Sequence, residues 1–268
     1  VVWAFQTVHH NLWDYDVPAQ PVLLSVRKNG REIDAVAQPT QTGFLFLLNR
    51  DTGEPIFPVE ERPVPQSKIP GEYSSPTQPF PTVPPPLIPT TLTAEDAWGI
   101  TPWDKGKCAD LIANARSEGM FTPPDFVDTI AYPGFAGGSN WGSLAGDPKR
   151  GIVVLNMNIF AVTTKIIPRG DFDENEKSNK NSMSQYMGQW GSDFGVVRTP
   201  LLSPLGLPCS PPPWGVLMEV DTSTGEKKWQ VPFGTVRDLA PVPVPIPYGV
   251  PNLGGPIITA GNLIFIGA

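Results

Sequence analysis

No stretch of this 268-residue chain approaches the roughly 20 consecutive apolar residues that a bilayer span needs; its apolar runs are as short as residues 44–48 and 152–155. It lacks the basic-then-apolar opening of a secretion leader and also lacks an initiator methionine. It stops on the unfinished apolar run 263–266, so it is expected to be an internal piece of a longer protein, cut at both ends. Basic clusters are missing and the net charge is −7, which removes nucleic-acid binding, a function that needs a cationic footprint. Histidine is limited to the adjacent pair His9 and His10. Vicinal side chains on an extended segment point to opposite faces, so the pair is read as hydrogen-bonding positioners and not as a chelate. Two cysteines, Cys108 and Cys209, are too few for a disulfide scaffold. They leave two readings open: two buried free thiols, or one bridge closing a long loop and adding roughly 4–5 kcal/mol in the chain-entropy model.

Proline and glycine are plentiful, at 34 and 26 residues, yet 40 % of the chain is hydrophobic and eight residues are tryptophan. A disordered chain would be poor in aromatics. The composition therefore describes short strands joined by long Pro-rich loops, in a chain long enough to bury a core.

The organisation shows as a repeat. Leu45 to Leu48 run into Asn49-Arg-Asp-Thr-Gly53-Glu, with Phe57 four residues after the glycine. Val216 to Val220 run into Asp221-Thr-Ser-Thr-Gly225-Glu, with Trp229 at the same offset. This is hairpin chemistry: Asn or Asp starts the turn, Gly takes the positive φ, and the returning strand delivers an aromatic. Trp3 fits the end of a third such unit. A second element, residues 140–156, reads as strand, turn, strand, and residues 254–266 repeat it with a shorter turn. Recurring antiparallel four-stranded units with Gly and Trp describe an all-β, partial β-propeller, an open arc of blades. Between the blade strands lie an extended loop from 58 to 92, then a helix that Thr101 caps and Pro102 and Asp104 open, running to about Arg116 with Gly119 as the stop. That is the one short helix expected. Residues 169–192, polar and charged, are expected to form a mobile loop.

The run QTVHHNLWDYDVPAQP at residues 6–21 closely resembles a segment of the membrane-bound pyrroloquinoline-quinone (PQQ) glucose and quinate dehydrogenases. EERPVPQS at 60–67, SPTQPF at 75–80, FTPP at 121–124, LPC at 207–209 and the 140–156 segment continue the likeness in order, across essentially the whole chain. The resemblance implies an eight-bladed quinoprotein propeller, of which this chain is about two blades plus flanking strands, with excursions at 58–125 and 160–214. It also implies oxidation of a sugar, polyol or cyclic alcohol by base-assisted hydride transfer to PQQ, with Ca²⁺ or Mg²⁺ and with ubiquinone as electron acceptor. The whole protein would be periplasmic and associated with the inner membrane, and this piece alone inactive.

Residue by residue, the likeness makes Asp14 the catalytic base and a contributor to the cation site. Gln41 stands where the family has a Lys at the quinone edge, and keeps a donor while losing the charge. Asn156, Trp141 and His10 are matched to cofactor contacts or supports, and Asn140 stands where a glucose-type relative has Glu. Taken by themselves, Asp14 is a turn former, Asn156 a strand-end cap and Trp141 a core residue. A different class stays open: a non-catalytic propeller scaffold of the outer-membrane assembly type, which has no need of a carboxylate at its mouth. A soluble methanol- or ethanol-type dehydrogenase is the third reading.

Overall fold

A computed structural model describes residues 1–178, 183–235, 237 and 247–267. In chain order the strands are β1 (Val22–Lys28), β2 (Arg31–Pro39), β3 (Leu45–Asn49), β4 (Val59–Pro63), β5 (Thr77–Pro81), β6 (Thr129–Ala131), β7 (Leu144–Asp147), β8 (Ile152–Asn158), β9 (Val162–Pro168), β10 (Gln185–Met187), β11 (Phe194–Pro200), β12 (Gly215–Asp221), β13 (Lys227–Pro232), β14 (Ile257–Ile258) and β15 (Ile264–Phe265). Two helices, α1 (Pro102–Ala113) and α2 (Arg169–Ser178), accompany them. The strands form antiparallel sheets of order β1-β2-β3, β7-β8-β12-β13 and β6-β9-β11-β10, with β4-β5 and β14-β15 as two-stranded pairs.

Both repeated turns fold as their side chains dictate. The Asn49 Oδ1 accepts the N–H groups of Asp51 and Thr52, and Gly53 (φ +76°) donates to the Asn49 carbonyl at 2.8 Å. The Asp221 Oδ1 likewise accepts from Ser223 and Thr224, and Gly225 (φ +72°) donates to the Asp221 carbonyl at 2.9 Å. The returns differ. After Gly225 the chain pairs along β12 as β13. After Gly53 a single bridge, Leu48 to Pro55, forms before the chain leaves for β4-β5, so the first sheet has three strands.

Trp3 lies on the first turn: a Cβ at Gly53 would sit 2.5 Å from its indole carbons, and its Nε1 donates to the Arg50 carbonyl at 2.8 Å. On the second turn the Pro-rich loop takes that place, with Pro84 and Val83 against Gly225. The leading strands stand side by side. Gly146 of β7 faces Val22 and Leu24 of β1, and Gly142, just ahead of β7, abuts the carbonyls of Leu253 and Gly254 that lead to β14. The result is the arc of successive antiparallel blades that the repeat predicts.

Strand alternation divides the interior. Leu45 and Leu47 of β3 belong to a large aliphatic core shared with β8, β12 and α1, whereas Phe44, Phe46 and Leu48 face an aromatic cluster with Trp13, Tyr15 and Phe121. All seven residues of β8 are buried, as fits a central strand covered on both faces. Burying each large apolar side chain contributes about 1.5–3 kcal/mol, so these two clusters hold the blades together.

Three expectations change in detail. Helix α1 starts at the Thr101 cap, whose hydroxyl accepts from the Asp104 N–H, but it stops at Ala113 and not near Arg116. Arg116 instead bridges to Thr129 and pairs with Asp125 at 3.0 Å. The stretch 169–192 is not simply a mobile loop, because it contains α2 and β10; residues 179–182 lie outside the described ones. Its polar composition hides one anchor, Phe172, buried so tightly on β11 that a Cβ at Gly195 would fall 2.1 Å from the ring. Arg169 adds hydrogen bonds to the carbonyls of Gln189 and Phe194. The excursion at 160–214 thus carries three strands of its own sheet. Finally, of the two cysteine readings the bridge is the one adopted: Cys108 on α1 and Cys209 form a fully buried disulfide across 101 positions.

Candidate functional site

The segment before β1 is a fixed turn. The Asn11 Oδ1 accepts the N–H groups of Trp13 and Tyr15, both at 3.1 Å. The Trp13 indole donates to the Thr122 carbonyl at 2.8 Å and the Tyr15 hydroxyl to the Pro133 carbonyl at 2.7 Å. Both rings pack on Phe121, with centroids 5.2 and 5.9 Å away. Burial pushes the Tyr15 phenol far above its ordinary range, so it serves only as a neutral donor. Between these two anchors Asp14 adopts φ +63° and presents its side chain outward. For a non-glycine residue that conformation costs about 1–2 kcal/mol, which the anchors offset.

The Asp14 Oδ2 accepts from the Arg198 Nη1 at 2.7 Å, and its Oδ1 has no hydrogen-bond partner among the described residues. Two residues on, the Asp16 N–H donates to the Gln41 Oε1 at 2.7 Å. Gln41 is buried on the turn after β2, and no acceptor among the described residues takes its Nε2. A loop at 133–142 lies directly on it: a Cβ at Gly137 would stand 2.4 Å from the Gln41 Cβ, and the Gly138 N–H donates to the Gln41 carbonyl.

From this loop the contacts continue to Asn156. The Asn158 N–H donates to the Gly138 carbonyl at 2.8 Å, and its Oδ1 accepts from the Asn252 N–H at 2.9 Å. The Asn156 Nδ2 meets the Asn252 Oδ1 at 2.6 Å, the Asn252 carbonyl at 3.0 Å and the Gly254 carbonyl at 3.2 Å. Three acceptors around one nitrogen fix the amide orientation. They leave the Asn156 Oδ1 buried without a partner among the described residues. Gln41 and Asn156 therefore belong to one hydrogen-bonded shelf, which the Asp16 N–H, two residues past Asp14, joins at Gln41. Trp141 closes the same loop and is 74 % exposed, so it is not a core residue.

His10 stands apart from the shelf. Its Nε2 lies 3.0 Å from Glu72, and its ring stacks on Tyr73 at 3.8 Å. His9 diverges from it as expected, toward Gln6 and Glu61. Burial opposes ionisation of Glu61, but hydrogen bonds from His9 and Thr77 and the nearby His9 hold its carboxyl below the usual range. Glu72 and Arg198 share a cleft of about 230 Å³, walled also by Leu12, Ile166, Phe194 and Val196.

A divalent cation finds little here. Among the described residues no three His, Cys, Asp or Glu side chains group as ligands. Ca²⁺ takes 6–8 oxygens, and Asp14 already gives one of its two to Arg198. Sequence reasoning missed Arg198, Asn252 and the Gly137–Gly138 cradle. Arg198 lies 184 positions from Asp14, and no local pattern marks it.

The chain can present a carboxylate with one oxygen tethered to Arg198 and the other without a partner among the described residues. Residues 1–268 match the family model described as "Glucose/ethanol/alcohol dehydrogenase, beta-propeller domain". The chain is 40 % identical to a quinoprotein glucose dehydrogenase of Escherichia coli K12, covering all of this chain and 34 % of that protein. It is 39 % identical to a glycerol dehydrogenase large subunit of Gluconobacter oxydans 621H, covering 99 % of this chain and 38 % of that one. It thus spans about a third of the length of these relatives. Among solved structures, a europium-containing methanol dehydrogenase superposes over 98 % of this chain and 33 % of its own, with a TM-score of 0.55 and 18 % identity. That likeness carries the propeller fold alone.

Proposed function

Since the chain belongs to the glucose/ethanol/alcohol dehydrogenase β-propeller family, we propose that it is the portion of a PQQ-dependent dehydrogenase that supplies the catalytic base. The whole protein oxidises a sugar, polyol or cyclic alcohol. The family implies PQQ as the cofactor, and the residues present suit its quinone edge. Among the described residues, Gln41 offers an Nε2 donor that none engages, and Asn156 a buried acceptor without a partner. Trp141 offers an exposed ring at the end of the same loop.

Asp14 then acts as the base: its Oδ1 takes the hydroxyl proton as the carbinol carbon loses a hydride and becomes a carbonyl. When bound, PQQ supplies the two-electron acceptor for that hydride. Gln41 donates to an oxygen that gains negative charge, a role in which a neutral amide works without a countercharge. His10 supports the turn from the side through Glu72 and Tyr73. Ca²⁺ or Mg²⁺, expected from the resemblance, would need ligands from outside this chain. Electrons pass on to ubiquinone, and the whole protein is periplasmic and held at the inner membrane. Among the described residues no helix is long and apolar enough to cross a membrane.

The observation that carries this reading is the outward Asp14 carboxylate, fixed between two buried aromatic anchors with one oxygen that no described residue engages. The test is Asp14→Asn in the full-length protein, loaded with PQQ and Ca²⁺ and assayed by dye reduction. The expected loss in kcat is about 10²–10⁴-fold. An unchanged rate removes the base assignment, and a full-length protein that binds no PQQ favours the scaffold reading.

A further inference from the structure

We propose that Arg198 is the positioning residue for Asp14. Its guanidinium, delivered by the inserted sheet, fixes the carboxylate so that one defined oxygen remains for the substrate proton. The proposal rests on Asp14 being the base.

Arg198 sits on β11, hydrogen-bonded on both sides: opposite Thr164 of β9 and Gln185 of β10. A side chain rooted in the middle strand of a sheet has a better-defined origin than one on a loop. Its guanidinium lies over the Phe135 ring, 4.9 Å from the centroid, and is only 14 % exposed. Phe135 belongs to the 133–142 loop that also cradles Gln41. Arg198 therefore joins three separate pieces: the Asp14 turn, the inserted sheet and the shelf.

The bond pattern is selective. Only the Nη1 binds Asp14, and only the Oδ2 of Asp14 receives it. Tethering one carboxylate oxygen sets the side-chain torsions and thereby the direction of the Oδ1, which is left without a partner among the described residues. An ion pair whose carboxylate is 45 % exposed contributes little to stability, so this pair's value lies in geometry. The planar guanidinium stacked on an aromatic ring is pre-oriented in a way an ammonium is not. The remaining donors of Arg198, its Nε and Nη2, have no acceptor among the described residues, so no second hydrogen bond there competes with Asp14.

The test uses the full-length holoprotein and compares Arg198→Ala, Arg198→Lys, Asp14→Asn and the Asp14→Asn/Arg198→Ala double variant. A misdirected base costs on the order of 10²-fold in rate. Arg198→Ala should accordingly lower kcat by about 10–100-fold while KM, PQQ affinity by absorbance titration and the thermal midpoint stay near the parent values. Added guanidinium ion should restore part of the lost rate, and Arg198→Lys should fall between parent and Ala. In the Asp14→Asn background, Arg198→Ala should cost nothing further. An unchanged kcat overturns the proposal. So does a loss that follows PQQ affinity or melting, that guanidinium does not rescue, or that persists undiminished in the Asp14→Asn background. If Asp14→Asn itself has no effect, the base reading fails first. If Asp14→Asn is inactive and Arg198→Ala is not impaired, only the positioning role fails.

Discussion

The Cys108–Cys209 bridge permits the most quantitative prediction. It links α1 to the segment after β11, closes a loop across 101 positions, and both sulfurs are fully buried in the main aliphatic core. In the chain-entropy model a loop of ~100 residues restricts the unfolded state by about 4.7 kcal/mol at 25 °C. Replacing both residues by alanine also leaves sulfur-sized voids, adding about 1 kcal/mol each. In urea the midpoint falls by that free energy divided by the denaturant slope, which grows with the surface exposed on unfolding. The assay is urea unfolding of the full-length protein, followed by tryptophan fluorescence, for the parent and for Cys108→Ala/Cys209→Ala. A functional consequence follows, because the chain after α1 carries Met120, Phe121 and Thr122, which anchor Trp13 and Tyr15 around Asp14. Loosening α1 should therefore lower kcat at urea concentrations that leave the parent rate intact. A midpoint shift that, multiplied by the measured slope, comes to less than about 1 kcal/mol would refute the reasoning, since it would mean that the loop is already restricted in the unfolded state.

The blade junction and the acid limb of stability provide two more tests. Gly53→Ala places a Cβ 2.5 Å from the Trp3 indole at φ +76°, whereas Gly30→Ala meets the same φ of +76° with nothing within 4 Å. Both pay the left-handed backbone cost of about 1–2 kcal/mol, and only Gly53→Ala should also lower the thermal midpoint through a displaced, red-shifted Trp3; equal losses would show that the packing carries no weight. For pH, the hydroxyl and N–H of Thr93 hold the Asp96 carboxyl below its usual range. Burial opposes ionisation of Asp221, but the N–H groups of Ser223 and Thr224 and the charge of Lys228 hold it low as well. A folded pKa below the unfolded one gives stabilisation that is complete above the unfolded value and is lost as pH falls through the folded one. The thermal midpoint should therefore drop from about pH 4 downward, and Asp96→Asn should remove part of that slope; a parallel slope in the variant would contradict the assignment.

What the sequence determined by itself is local. The two Asn/Asp-x-x-x-Gly turns and the Thr101 cap depend on neighbours within a few positions, so they were legible and recur in the structure. The resemblance marked Asp14, Gln41 and Asn156; the fold links Gln41 and Asn156 along one shelf and brings the Asp14 turn to it through the Asp16 N–H. Pairings between distant residues were not legible, because nothing near either partner encodes them. Whether Cys108 meets Cys209, and that Arg198 reaches Asp14, depends on how the inserted sheet and α1 dock on the blades. The same holds for α2, whose polar surface reads as a solvated loop until Phe172 finds the space that Gly195 leaves. Turn chemistry fixes each blade's strands one at a time. The groups around the base converge only when burial of the aliphatic and aromatic clusters brings separate blades and excursions together, and that convergence is the part the tertiary structure decided.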